Sequence, residues 1–149
     1  IASEAGIIAA ASKKMRPLIR FLFPNIPAEH KANEHITTNF IANFLGLGWA
    51  ATPAGLRAME ELAHLEDDRR KGLFPGTVRK KGVASNEMCS FLILNISSLQ
   101  LISVNVIAYR SQYGSVNPAS IVGAGILATA VSTGAAVIYC KIKDRRNKT

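Results

Sequence analysis

The sequence predicts an all-α membrane protein with an interfacial N-terminal helix, a re-entrant helical hairpin and a two-span transmembrane hairpin. Two features predict this class: long stretches without charged residues, and basic residues concentrated at the ends of those stretches. Of the 149 residues, 48% are hydrophobic, which excludes a disordered chain. The 2 cysteines are too few for a disulfide framework. A chain of this length fits one domain.

Two stretches contain no Lys, Arg, Asp or Glu: Met88–Tyr109 and Ser111–Cys140. A helix needs about 20 apolar residues to cross the hydrocarbon of a bilayer, so each stretch is long enough. We predict one helix over Met88–Tyr109 and a second over about Ala119–Cys140, directly after Pro118. The alternative is a soluble domain with two fully buried helices, for which a chain of this size has little room.

The basic residues give the predicted pair of spans an orientation. The formal net charge is +8, and of the 18 Lys and Arg residues only Arg110 lies in the link between the two spans. By the positive-inside rule, the opposite side is cytoplasmic and contains the C-terminus and a basic loop at residues 66–86. A nucleic-acid-binding protein would not confine its charges to the ends of uncharged stretches, so nucleic acid is excluded as a partner.

A third stretch, His35–Leu56, is also uncharged, but both of its ends are basic. Both ends should therefore be cytoplasmic, which a segment of this length achieves by entering the membrane and returning. We predict a helix over Ile36–Leu45, a turn at Gly46–Pro53, and a second helix with Thr52 as its N-cap and Pro53 in its first position. A soluble helix–turn–helix and an interfacial kink without a ligand are the alternatives.

The N-terminal segment has an apolar run, Gly6–Ala11, followed by the basic amphipathic sequence KKMRPLIRFLF at residues 13–23. This order is the reverse of that in a signal peptide. It predicts a helix that lies in the membrane interface. Because the sequence begins at Ile1, we expect that part of the protein is missing at its N-terminus.

Polar side chains occur inside the predicted spans. Asn95, Ser98 and Asn105 fall within one arc of a helix at about 100° per residue. They could bind a polar solute or a cation, or they could hold neighbouring helices together through hydrogen bonds. In the last span, small residues four positions apart permit close helix contact and predict assembly into an oligomer.

The sequence contains no recognisable catalytic arrangement. The three histidines and the run Asp67–Lys71 are predicted to be solvated, and Glu87 is predicted to be an interfacial charge. No carboxylate lies within a predicted span, so we expect neither a proton relay nor an intramembrane protease. We therefore expect a protein that is not an enzyme and that needs no cofactor.

Several segments resemble one known family. The sequence LGLGWAATPAGLRAMEEL at residues 45–62 resembles the hallmark stretch of the spore maturation protein A family, within the nucleoside-recognition, or gate, domain superfamily. LFPNIPAEH (22–30), FLILNISSLQLI (91–102), VIAYRSQYGSVNPASIVG (106–123) and the basic tail are similar to the family in the same order. The resemblance predicts a single gate-type domain over residues 1–149.

The resemblance implies a multi-pass protein of the bacterial cytoplasmic membrane that acts with a spore maturation protein B-like partner in dehydration of the spore core. Related gate domains, in concentrative nucleoside transporters and ferrous-iron transporters, hold solute at re-entrant hairpin tips and broken helices. At the matching positions, this nominates five substrate-binding residues: Asn43, Thr52, Asn95, Ser97 and Ser98. The implied function is half of a gated path for a small polar solute or ion. The alternative is a structural or assembly subunit that transports nothing.

Three features depart from the family pattern. Trp49 stands where the pattern GNAATP has asparagine, which removes a polar group from the hairpin tip. Ser103 stands where the pattern has proline, which predicts a less interrupted span. The loop Glu66–Ala84 is longer than in typical members.

Overall fold

The computed structural model describes residues 14–97 and 103–146, and in these residues it contains helices and no strands. Helix α1 is described over residues 14–22. It is followed by α2 (Ala32–Phe44), α3 (Gly48–Arg70), α4 (Asn86–Ile96), α5 (Val104–Gln112) and α6 (Ile121–Arg146), with a short 3₁₀ turn, Pro118–Ser120, before α6. The predicted all-α class is confirmed.

Helices α2 and α3 form a hairpin whose turn is Leu45–Leu47. Gly46 has φ = +73°, a left-handed conformation that glycine adopts readily because it lacks a Cβ. Its N–H donates to the Asn43 carbonyl at 2.9 Å, and the N–H of Leu47 donates to the Ala42 carbonyl at 2.8 Å. Together these bonds form a Schellman motif, which ends α2 and reverses the chain.

The predicted start of the second helix of this hairpin is wrong. Helix α3 begins at Gly48 with Leu47 at the N-cap, so Thr52 is not an N-cap and the turn does not extend to Pro53. Pro53 instead lies in the second turn of α3. Because proline has no N–H, position 53 cannot donate to the carbonyl of Trp49, and one intrahelical bond is lost. A helix of 23 residues tolerates this loss near its start.

The prediction of one helix over Met88–Tyr109 is also wrong. Helix α4 ends at Ile96, and α5 begins at Val104, directly after Ser103. The segment is therefore divided into two helices, with serine at position 103. Helix α4 has 11 residues and a length of about 16 Å at 1.5 Å per residue, which is roughly half the hydrocarbon thickness of a bilayer.

Serine side chains lie at both ends of α4. The hydroxyl of Ser85, the N-cap residue, accepts a hydrogen bond from the N–H of Met88 at 3.3 Å. At the other end, the hydroxyl of Ser97 donates to the Leu94 carbonyl at 2.8 Å. A serine hydroxyl that donates to a nearby backbone carbonyl, as Ser97 does, competes with the backbone hydrogen bonds of the helix. This competition helps to explain why α4 ends at Ile96.

Helix α6 continues the 3₁₀ turn, so the helical stretch is Pro118–Arg146. Its most apolar window has a mean hydropathy of 2.0, and among the described residues it is the one helix long and apolar enough to cross a membrane. Only 6% of that window is buried, unlike a core helix of a soluble protein. The predicted helix at Ala119–Cys140 is confirmed, whereas the described residues contain no second helix that is both long and apolar enough to cross a membrane.

The apolar core lies between α1, α2, α3 and α4. Its largest fully buried apolar side chains are Phe91, Ile19, Ile36, Leu62 and Leu65. Phe40 of α2 stacks on Phe91 of α4 with ring centroids 6.2 Å apart. Helix α6 contributes Ala136 to this core, and α5 buries none of its residues. The core therefore holds the α2–α3 hairpin against α4, while most of α6 lies outside it.

Candidate functional site

Three asparagine side chains, Asn39 and Asn43 of α2 and Asn95 of α4, meet near the hairpin turn; we call them the asparagine cluster. The Nδ2 of Asn43 donates to Oδ1 of Asn95 at 2.6 Å and to Oδ1 of Asn39 at 3.2 Å. The first of these bonds joins residues 52 positions apart in the sequence. The cluster therefore exists only in the folded protein, where it links the hairpin to α4.

Asn39 attaches the cluster to α3. The residue is 1% exposed, and its Nδ2 donates to the Ala51 carbonyl at 2.8 Å. Gly55, one turn further along α3, leaves the space that the amide groups occupy. A Cβ on Gly55 would lie 2.9 Å from Nδ2 of Asn39 and 3.6 Å from Nδ2 of Asn95. The close approach of α2, α3 and α4 at this point therefore requires glycine at position 55.

Sequence reasoning missed both Asn39 and Gly55. A signal for Asn39 was present, because it precedes Asn43 by four residues and such positions lie on the same face of a helix. A signal for Gly55 was weaker: a glycine inside a helix costs stability and often has a packing reason. Neither signal identifies the partner helix.

The structure brings together two of the five predicted substrate-binding residues, Asn43 and Asn95. Thr52 does not join them. It is exposed, and its hydroxyl donates to the Gly48 carbonyl of its own helix at 3.1 Å. The backbone explains its position, because Thr52 lies within α3 and not at a helix start that faces the turn.

Ser97 has a different position from the asparagine cluster. Its hydroxyl oxygen lies 3.4 Å from Oγ1 of Thr133, so it connects the end of α4 to α6. Ser98, the remaining predicted residue, lies outside the described residues. Ser97 therefore belongs to a helix contact that the sequence did not predict.

The chemistry of the asparagine cluster is that of neutral amides. Amide oxygens accept hydrogen bonds or coordinate a cation, and amide nitrogens donate hydrogen bonds. Both hydrogens of the Asn43 amide are used inside the protein, for Asn39 and Asn95. Within a membrane, such interhelical bonds contribute up to about 1–2 kcal/mol each. The cluster can thus hold three helices together and can also present polar groups to a solute.

A second group of polar residues surrounds Arg69 of α3. With a helical rise of 1.5 Å per residue, Arg69 lies about 21 Å beyond Gly55 along the same helix. Arg69 is 4% exposed, and it donates from Nη1 to Oε1 of Glu87 at 3.1 Å and from Nη2 to the Asn25 carbonyl at 2.6 Å. Glu66 is 2% exposed, with Oε2 3.8 Å from Nη1 of Arg69. We call Glu66, Arg69 and Glu87 the ionic network.

The ionic network corrects two predictions. The run Asp67–Lys71 is not a solvated loop, because α3 continues through Arg70 and Arg69 is buried. Glu87 is not an interfacial charge, because it is buried at the start of α4 and paired with Arg69. Charged side chains are seldom buried unless they are paired, and the Arg69–Glu87 pair joins residues 18 positions apart in the sequence.

The ionic network also attaches the loop between α3 and α4, residues 71–85. Oε1 of Glu66 accepts from the N–H of Arg79 at 2.6 Å, and Nε of Arg70 donates to the Arg79 carbonyl at 3.1 Å. Gly76, with φ = +144°, passes so close to Arg69 that a Cβ there would lie 2.7 Å from Nε. The predicted basic loop at 66–86 thus begins inside α3, and its middle is held against that helix.

His30 connects the start of α2 to the same loop. Its Nδ1 accepts from the N–H of Ala32 at 3.2 Å, and its ring meets Phe74 edge-on with centroids 5.9 Å apart. Burial lowers the pKa of His30 below its usual value of 6.5, although the carboxylates of Glu61 and Asp68 act in the opposite direction. His30 is therefore a neutral acceptor at pH 7, not the solvated histidine that the sequence predicted.

We expect stability to fall as the pH decreases through 6.5, and this fall to be smaller in His30→Asn. Because the pKa of His30 is lowered in the folded state, the unfolded state binds a proton first. The stabilisation is complete above the unfolded value and is lost as the pH falls toward the folded pKa. Thermal unfolding of both proteins between about pH 7.5 and 5.5 measures the difference. Identical pH profiles would contradict the neutral, half-buried state of His30.

These features define a class of protein: an all-helical chain with a hairpin closed by asparagine side chains, a second interrupted helical segment, and a helix of membrane-spanning length. The chain is 42% identical over 149 residues to spore maturation protein A of Bacillus subtilis (strain 168), an alignment that covers 99% of this chain and 70% of that protein. The chain belongs to the spore maturation protein A family, as its sequence resemblance predicted. No family model matches the chain, and no solved structure matches it.

Proposed function

We propose that the chain is a multi-pass subunit of the bacterial cytoplasmic membrane that acts in spore maturation, with its C-terminus in the cytoplasm. With a spore maturation protein B-like partner, it would form a gated path for a small polar solute or ion. Family membership supports the role in spore maturation. The length and hydropathy of α6 support the membrane location. The asparagine cluster beside interrupted helices is the observation that carries the proposed path.

The lengths of α2 and α4 support a re-entrant hairpin in that membrane. Helix α2 has 13 residues, or about 20 Å, and α4 has about 16 Å, so each is shorter than the roughly 30 Å of bilayer hydrocarbon. Helix α3, with 23 residues, is longer, so its charged C-terminal half would extend out of the membrane. The turn Leu45–Leu47 and the end of α4 would then lie within the membrane. Non-helical backbone at that depth must be surrounded by protein or water. Such interruptions are typical of solute sites in transporters.

A non-transporting assembly role is the second candidate, and a specific observation favours it. The Asn43 amide uses both hydrogens for bonds to Asn39 and Asn95. A cluster whose bonds are made within the protein stabilises helix packing without a solute. The solute path and the assembly role predict different effects of removing one amide of the cluster, as in Asn95→Ala.

The test is to co-purify the full-length protein with its partner and then measure solute-dependent thermal shifts of the complex. Uridine, dipicolinate and Mn²⁺ serve as neutral, anionic and cationic probes. A probe that binds the folded complex raises its melting temperature with concentration, by RT ln(1 + [L]/Kd) in stability. We expect a shift with one probe, its loss in Asn95→Ala, and an intact complex in that variant.

Thr52→Val is the matched control, because Thr52 is exposed and its hydroxyl donates to the Gly48 carbonyl of its own helix. It should keep both the partner and the thermal shift. If Asn95→Ala loses the partner and stability together, the assembly role is correct. If the wild-type complex responds to none of the three probes, the solute path is not supported.

A further inference from the structure

We propose that α1 and the last turns of α6 form a binding surface for the headgroups of anionic phospholipids. The proposal rests on the membrane location in the proposed function. It does not depend on a solute path, so failure of the asparagine cluster to bind solute would leave it unaffected. Its basis is the way α1 is oriented, the point at which α6 holds it, and the charges that surround that point.

The core fixes the orientation of α1. Ile19, which is 2% exposed, and Phe23, which directly follows α1 and is 3% exposed, pack into the core. At about 100° per residue, the opposite face carries exposed Lys14 and Phe21, which is 58% exposed, with Leu18, 42% exposed, beside them. Arg16 and Arg20 are exposed along the other edge of the helix, next to the core face. A helix that exposes basic and large apolar side chains together is typical of a membrane surface.

Helix α6 holds α1 at a defined level. Nζ of Lys141 lies 4.4 Å from the centroid of the Phe21 ring and donates to the Phe21 carbonyl. Just beyond, Nδ2 of Asn25 donates to Oδ1 of Asp144 at 3.2 Å. Lys141 is the first charged residue after the uncharged stretch Ser111–Cys140. The contact therefore places α1 where the apolar part of α6 ends, at the boundary between hydrocarbon and headgroups.

The charges at this level favour an anionic lipid. Lys143 and Arg146 of α6 are exposed beyond Lys141, and with the basic residues of α1 they give the region a strongly positive character. Anionic headgroups attract such residues by about fivefold in affinity for each Lys or Arg near the surface. An acidic protein partner would also match the charge. The exposed Phe21 and Leu18, placed at the boundary, fit the acyl region of a lipid better.

The experiment compares two lipids on the purified full-length chain in a neutral detergent. Phosphatidylglycerol or phosphatidylcholine is added to the micelles, and bound lipid and melting temperature are measured. We expect phosphatidylglycerol to bind more tightly and to raise the melting temperature more. Arg16→Gln/Arg20→Gln should weaken phosphatidylglycerol binding by about fivefold per removed charge, with little change for phosphatidylcholine. About 0.5 M salt should also weaken binding of phosphatidylglycerol, because surface charges are then screened.

Lys80→Gln/Lys81→Gln is the matched control, because it removes the same charge from exposed positions in the loop after α3. It should change phosphatidylglycerol binding by less than about twofold. Equal binding of the two lipids by the wild-type protein would overturn the proposal, whatever the variants do. Equal losses in the two double variants would also overturn it, because the attraction would then depend on total charge. If inorganic phosphate displaced bound phosphatidylglycerol as effectively as added phosphatidylglycerol does, the surface would be an anion site without lipid selectivity. That result would also overturn the proposal.

Discussion

Replacement of Arg69 with methionine is expected to lower the free energy of unfolding by about 3–5 kcal/mol. Arg69 is 4% exposed and lies between the buried carboxylates of Glu87 and Glu66. Removal of the guanidinium leaves those carboxylates buried with less counter-charge, and it also leaves the Asn25 carbonyl without the donor at 2.6 Å. Unfolding of the purified protein in mixed micelles of increasing SDS content measures the loss.

Two further variants identify the cause of that loss. Arg57→Met removes an exposed arginine from the same helix and should cost no more than about 0.5 kcal/mol. Arg69→Met/Glu87→Met removes both members of the closest pair, so it should recover part of the stability of the single variant, because a buried pair is often replaced by apolar groups at little cost. A loss in Arg69→Met no larger than that in Arg57→Met would contradict the buried ionic network.

The helices that follow a simple local pattern could be predicted from the sequence. Helix α6 was predicted because no charge interrupts Ser111–Cys140, and a long uncharged stretch leaves few alternatives to a membrane or core helix. The first helix of the hairpin was predicted over Ile36–Leu45 and is observed over Ala32–Phe44. The end of this helix could be predicted because Gly46 supplies the left-handed residue that commonly follows the C-terminus of a helix.

The start of α3 could not be predicted, because two local signals disagreed. Thr52 followed by Pro53 is a common beginning for a helix, and it favoured a start at that point. The helix starts earlier because the Schellman bonds of Gly46 and Leu47 complete the turn in three residues. A proline in the second turn then removes only one hydrogen bond. The tertiary contact of α2 with α3 outweighs that cost.

The contacts that form the asparagine cluster and the ionic network cannot be predicted from local sequence patterns. The resemblance nominated Asn43 and Asn95, but their bond joins positions 52 apart. Arg69 bonds to the Asn25 carbonyl 44 positions away, and a charged run such as Asp67–Lys71 normally indicates a solvated surface. Periodicity identifies which face of a helix is apolar, but it does not identify the side chain that the face will meet.

Gly55→Ala is expected to destabilise the protein by about 1–3 kcal/mol, the usual cost of an added methyl group in a packed site. The new Cβ would lie 2.9 Å from Nδ2 of Asn39, and Asn39 cannot move easily because it is 1% exposed and bonded to the Ala51 carbonyl. Gly48→Ala, in the same helix, has nothing within 4 Å of its Cβ and should gain up to about 1 kcal/mol. The two substitutions should therefore change stability in opposite directions.

A size-compensating variant links this destabilisation to the asparagine cluster. Asn39→Ala/Gly55→Ala removes the amide that the new methyl group meets, so its cost should be smaller than the sum of the two single costs. The double variant still lacks the bonds of Asn39 to Ala51 and Asn43, so it should not regain full stability. SDS titration of the four proteins in the cycle gives the coupling free energy. Strictly additive costs would mean that Gly55 and Asn39 do not meet, and the asparagine cluster would then lose its attachment to α3.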